Sequence, residues 1–134
     1  MCENISLWCS YQAILFKAEQ HPVYPRFAIL TAFNPRSIVL NNPDNLKRNE
    51  LLKIELLSMT NGVQRVTTSA PDGSWQEIGF AADITMAEAR QLACRWQQNA
   101  FYWVEQGELR LVPALMTDVA ITKLGEIKDF FYTE

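Results

Sequence analysis

Histidine is almost missing from this chain, with His21 alone, and cysteine occurs three times, at Cys2, Cys9 and Cys94, an odd number with no CxxC pair. That count and spacing argue against a disulfide framework and a tetrahedral zinc site, so reduced thiols, no metal and no cofactor are expected. No apolar run approaches the roughly 20 residues that a membrane span requires. Glu3 stands where a secretory signal would carry Lys or Arg, and the two observations together predict a cytoplasmic protein without membrane attachment. Basic clusters are lacking as well. A net charge of -3 over 134 residues speaks against nucleic acid as a partner, because backbone phosphates are bound by concentrated positive charge. The chain has no Ser-His-Asp set, nucleophile elbow, glycine-rich phosphate loop or HExxH motif.

What remains is 49% hydrophobic, enough for one domain over residues 1–134 that buries roughly two thirds of its unfolded surface. Its most informative stretch runs from Phe27 to Ser37. Phe27, Ile29, Thr31 and Phe33 alternate with Ala28, Leu30 and Ala32, and a strand apolar on both faces belongs inside a sheet. Pro35 ends it, having no N–H and disfavouring helix at Asn34. Before it, residues 3–11 suit a short helix and residues 13–17 a strand that can pair with Phe27 to Phe33 across the proline-rich loop His21 to Pro25. After it, Asn42 suits an N-cap, Pro43 the first helical position and Asp44 the positive end of the dipole, for a helix reaching Ser58 and stopping at Asn61-Gly62. Val63 to Ser69 and Gln76 to Ile84 read as a hairpin around Pro71-Asp72-Gly73-Ser74. Thr85 with Glu88 forms a capping box for a second helix, whose face is Ala89, Leu92, Ala93 and Trp96. Phe101 to Glu105 and Leu109 to Val112 make a second hairpin about Gln106-Gly107. The order predicts an α+β two-layer sandwich, a ferredoxin-like split βαβ core at about residues 27–112 with an extra strand at each end. Residues 113–134 dock on it through Ile127, Phe130 and Phe131.

Two groups of polar residues carry candidate chemistry. On the first long helix Asn45, Asn49, Leu52, Leu56 and Met59 share one stripe. This brings Asn45 and Asn49 toward Asn34 at the carboxyl end of the central strand. Carboxamides donate and accept without titrating, so they suit recognition of a polar ligand; alternatively they satisfy the backbone of the Asn-Pro loop. Arg36 and Arg48 are available for an anion contact or as solvated surface charge. The second group is Trp75 and Glu77, which share a face of the return strand with Gly79 and Ala81, opposite Ile78, Phe80, Ala82 and Ile84. A tryptophan wall, a small floor and an acid describe a pocket, where an exposed strand with a solvated Glu is the plainer alternative. Gln98-Asn99-Ala100 is either a polar helix end or a third contributor.

Thr31-Ala32-Phe33-Asn34-Pro35, Asn45 with Asn49, Pro71 to Glu77 followed by Gly79-Phe80, and Gln98-Asn99-Ala100 form an ordered set over about residues 27–112. In that set the chain resembles an uncharacterised bacterial family, domain of unknown function 3293. The visible departure is Phe33, where the resemblance implies tryptophan in many relatives, and this bears on one aromatic contact. The resemblance supports the choice of positions and implies no activity.

Three functions fit. The first is binding of a polar small molecule, nucleotide- or sugar-like, by Asn34, Arg36, Asn45, Asn49 and Gln98 with Trp75 as apolar wall. The second is a hydrolase or transferase with Glu77 as general acid or base. The third is an interaction module, a homodimer included, in which an open sheet face or edge strand with Tyr102 and Trp103 pairs with a partner.

Overall fold

The computed structural model describes residues 2–134. Helix α1 (Cys2–Gln12) leads into β1 (Leu15–Ala18) and β2 (Arg26–Leu30), and a 3-10 turn at Pro35–Ser37 precedes α2 (Asn42–Met59). There follow β3 (Val63–Ser69), β4 (Gln76–Ala82), α3 (Met86–Arg95), β5 (Ala100–Glu105), β6 (Glu108–Pro113), β7 (Thr122–Glu126), a 3-10 turn at Ile127–Asp129 and β8 (Phe131–Thr133). The fold is mixed α+β, with three helices and eight strands among the described residues. All eight strands belong to one sheet in the order β7-β6-β5-β2-β4-β3-β1-β8.

That order forces the sheet to curl. Its edge strands, β7 and β8, are separated in sequence only by residues 127–130. Five Cα steps reach roughly 18 Å at full extension, whereas seven strand spacings in a flat sheet would set the edges roughly 34 Å apart. The concave face therefore closes on a core of its own, where Phe16, Phe27, Ile29, Val66, Ala81, Val104 and Leu109 meet Ile127 and Phe131. On the convex face, Leu52 and Leu56 of α2 and Ala89, Leu92 and Ala93 of α3 cover Ala28, Leu30, Phe80, Ala82, Phe101 and Trp103. Helix α1 lies against a third cluster, Trp8 with Leu111 and Met116. Strand parity decides which core each residue enters, so Phe80 and Ala82 face the helices while Ala81 faces the concave side.

Several boundaries differ from those the sequence predicts. Strand β1 pairs with β3 and β8 and not with β2, because β4 and β5 already occupy both sides of β2. The N-cap of α2 is Asn41, whose Oδ1 accepts from the Asp44 N–H at 2.9 Å, so the helix starts one residue earlier than expected. Met59 leaves the buried stripe and is 40% exposed. Strand β5 is interior and Trp103 is 1% exposed, which removes the edge on which strand-pairing with a partner was expected. No helix among the described residues is long and apolar enough to cross a membrane.

The capping box of α3 forms as its sequence predicts: Thr85 Oγ1 accepts from the Glu88 N–H at 3.1 Å and Glu88 Oε1 accepts from the Thr85 N–H at 2.9 Å. Thr85→Ala is expected to cost about 1 kcal/mol by removing one of these partners. A urea melt showing no change in midpoint would contradict this.

Candidate functional site

The site begins where β2 leaves the sheet. The β2–β4 register pairs Ala28 with Ala82 and Leu30 with Phe80, and one further step would bring Ala32 against Ile78. Instead the Asn49 side chain stands between them, its Oδ1 accepting from the Ala32 N–H at 2.9 Å and its Nδ2 donating to the Ile78 carbonyl at 2.6 Å. A carboxamide has the donor and acceptor of a peptide unit, so Asn49 replaces one rung of the ladder and lets the chain splay from β4. Thr31 Oγ1 also donates to the Ile78 carbonyl, at 2.7 Å. Just before the splay the strands are so close that a Cβ on Gly79 would lie 2.3 Å from the Leu30 carbonyl oxygen. The glycine serves this approach and does not line the cavity, in contrast to the small floor the sequence predicts.

Asn45 holds the next residue pair. Its Oδ1 accepts from the Asn34 N–H at 2.9 Å and its Nδ2 donates to Asn34 Oδ1 at 2.8 Å. Asn34 Oδ1 accepts as well from the Leu40 N–H at 3.0 Å. With its oxygen thus engaged, Asn34 turns its Nδ2 outward to donate to Glu77 Oε2 at 3.0 Å. Asn45 and Asn49 are 2% and 4% exposed and their groups are used on the loop and on β4, so they position the site and do not line its cavity. The loop that carries Asn34 is strained: Asn34, Arg36 and Ser37 have φ of 47°, 54° and 63°, a region that residues with a Cβ rarely adopt. It is pinned across the site by the Arg36 N–H, which donates to the carbonyl of Gln97, itself at φ 60°.

Glu77, Asn34, Trp75 and Gln98 border one cavity of about 340 Å³, between the splayed end of β2, the concave face of the sheet and α1. Thr68 pairs with Glu77 across β3–β4, and Ile29 pairs with Tyr102 across β2–β5, which places all four on this face. Gln98 is 8% exposed, and its Nε2 donates to the carbonyls of Phe33 and Trp96. The mouth is tied by side chains distant in sequence: the Tyr11 and Ser37 hydroxyls are 2.5 Å apart, Asn99 Nδ2 donates to Tyr11 Oη at 3.1 Å, and Tyr102 Oη donates to the Tyr11 carbonyl. Of these, Asn99 belongs to the Gln98-Asn99-Ala100 stretch singled out in the sequence. Tyr11, Ser37 and Tyr102 carry no local signal, because only the sheet curl brings α1 over β5.

The two arginines are placed away from the cavity. Arg48 donates to the carbonyls of Ala32 and Trp96, both at 2.7 Å, and lies over the Trp96 ring. It clamps the two loops from the convex side. Arg36 is exposed outside the lining. Of the two alternatives the sequence left open, an anion contact or a solvated surface charge, Arg36 is exposed as the second describes, and neither arginine lines the cavity.

Electrostatics follow from this arrangement. Burial pushes the Glu77 carboxyl up to about 7, against the opposing effect of the Asn34 hydrogen bond. Burial also drives the Tyr102 phenol well above its usual value, and the neighbouring Glu77 and Tyr11 add to it. Desolvation outweighs the single donor because one neutral hydrogen bond replaces only part of a carboxylate's hydration. Among the described residues no group of three or more His, Cys, Asp or Glu side chains is placed to hold a metal ion. What the site offers is a buried acid titrating near neutrality, a ring of aromatic surface and fixed carboxamides. That is equipment for recognising a compact ligand or moving one proton.

Residues 30–101 match the family described as Protein of unknown function (DUF3293). No curated protein and no solved structure matches the chain.

Proposed function

The chain belongs to the DUF3293 family, whose function is unknown, and we propose from the geometry of the cavity that it binds a small polar molecule there. The observation that carries this reading is Glu77: a carboxyl facing a cavity of about 340 Å³, with Oε2 held by Asn34 and Oε1 without a protein donor among the described residues. Glu77 is half-buried, so Oε1 is an acceptor open to the cavity, and a ligand that donates to it completes the hydrogen bonding of the carboxyl,. The volume lies at the lower end of small-molecule sites, so the ligand is compact. In this reading Trp75 is the apolar wall, Asn34 and Gln98 are polar contacts, and Asn45 and Asn49 hold the loop that presents Asn34. The inner strand order β5-β2-β4-β3, with α2 and α3 on one side, supports reading the scaffold as a ferredoxin-like core lengthened at both edges.

A second reading, an enzyme with Glu77 as general acid or base, is favoured by the elevation of its carboxyl to about 7, where both protonation states are populated at neutral pH,. One experiment separates the two. Wild type and Glu77→Gln are incubated with a metabolite panel, and both bound ligand and product are quantified by mass spectrometry. Binding without product, weakened by the substitution, supports the first reading. Turnover that falls about 100-fold or more in the variant supports the second. Equal retention and equal turnover by both proteins would dismiss Glu77 from either role.

A further inference from the structure

Resting on the reading of this cavity as a ligand site, we infer that its ligand is an organic cation, a compact ammonium carried on an aromatic or apolar body. Among the described residues Glu77 is the only Asp, Glu, Lys, Arg or His in the lining. A nucleotide, one of the two ligand types suggested by the sequence alongside a sugar, would bring a phosphate, but Arg48 donates to the carbonyls of Ala32 and Trp96 and Arg36 is exposed outside the lining. A phosphate or carboxylate entering the cavity would meet the Glu77 carboxylate with nothing to offset the repulsion. An ammonium meets the opposite situation.

The fit extends beyond charge. One N–H of Asn34 Nδ2 donates to Glu77 Oε2 at 3.0 Å, and the Asn34 oxygen already takes two donors. The open Glu77 Oε1 is thus an acceptor that the protein leaves unfilled. Gln98 presents the same polarity: its Nε2 is committed to two carbonyls, so the group that remains is the carbonyl oxygen, an acceptor. Glu77 Oε1 and the Gln98 oxygen favour a ligand that brings N–H groups, and the Thr68 hydroxyl on the same face can accept as well as donate,. Trp75 and Tyr102 supply ring surface around this point, and aromatic faces attract a cation that is partly withdrawn from water,. Tyr102 adds no second charge here, because its hydroxyl donates to the Tyr11 carbonyl and burial keeps its proton on.

The test compares three molecules of one shape and three charges: 2-phenylethylamine, 2-phenylethanol and phenylacetate. Each is titrated calorimetrically into the full chain at pH 8, where the Glu77 carboxyl, pushed up to about 7, is mostly ionised. The amine should bind saturably, at least about tenfold tighter than the alcohol, with no binding by the acid. Glu77→Gln should erase the preference for the amine, and Glu77→Asp, which keeps the charge, should retain it. An alcohol or acid that binds as well as the amine overturns the cationic class while leaving the cavity a ligand site. A preference for the amine that survives in Glu77→Gln likewise overturns it. Absence of saturable binding by all three at millimolar concentration overturns both the class and the ligand-site reading.

Discussion

Asn49→Ala should lower the unfolding free energy by about 2–4 kcal/mol, the largest effect expected from any side chain outside the apolar cores. The substitution deletes both hydrogen bonds by which the carboxamide bridges the Ala32 N–H and the Ile78 carbonyl, at 2.9 and 2.6 Å. Ile78 keeps the Thr31 hydroxyl as a donor, so the heavier loss falls on the Ala32 N–H, which is buried and bonded to Asn49 Oδ1. A midpoint lower by on the order of 10 °C follows for a chain of this size. Asn49→Asp sharpens the test. It keeps an acceptor for Ala32 but removes the donor to Ile78 and sets a carboxylate against a carbonyl, so it should be no more stable than the alanine variant. Thermal melts that place either variant within about 1 °C of wild type would show that the ladder closes without the carboxamide.

The role of Asn49 shows what a sequence reveals and what it withholds. Helical phase predicted that Asn45, Asn49, Leu52, Leu56 and Met59 share one face, and all but Met59 at the helix end are buried. Phase does not tell which backbone groups will stand opposite, because those depend on the β2–β4 register and on where β2 departs from it. The same limit applies to Glu77. Parity along β4 placed it with Trp75 and opposite Phe80, but its partner Asn34 comes from a loop 43 residues earlier. Capping signals are local and were readable at Thr85 and Glu88; at α2 the cap read at Asn42 falls instead on the preceding Asn41. The curl was not legible. It is fixed by the return of residues 127–133 to the far edge of the sheet, a contact between β8 and β1 that no periodicity encodes. Through that curl Tyr11, Ser37 and Tyr102 reach the site, and β1 finds β3 rather than β2.

Glu77→Gln is expected to stabilise the protein at pH 8 while leaving it unchanged at pH 4, since the native fold strains to keep an ionised carboxyl at this position. Burial raises the Glu77 carboxyl from 4.5 to about 7 in the folded chain. Between those values the folded state holds a proton that the unfolded state has released, so stability is highest below pH 4.5 and declines as pH rises toward 7. The elevation corresponds to about 3 kcal/mol lost across this window. Glutamine mimics the protonated acid: its carbonyl oxygen can still accept from Asn34 Nδ2, and it never ionises. The difference between variant and wild type, measured by urea melts at intervals from pH 4 to 8, cancels the other titrating groups and should grow from near zero to about 2–3 kcal/mol. A flat difference would mean that the carboxylate is as well solvated folded as unfolded, and Glu77 would lose its standing as a buried acid. A growing one would mean that the chain keeps, at the mouth of its cavity, a residue that weakens the fold at neutral pH, the mark of a position retained for what it binds or does rather than for packing.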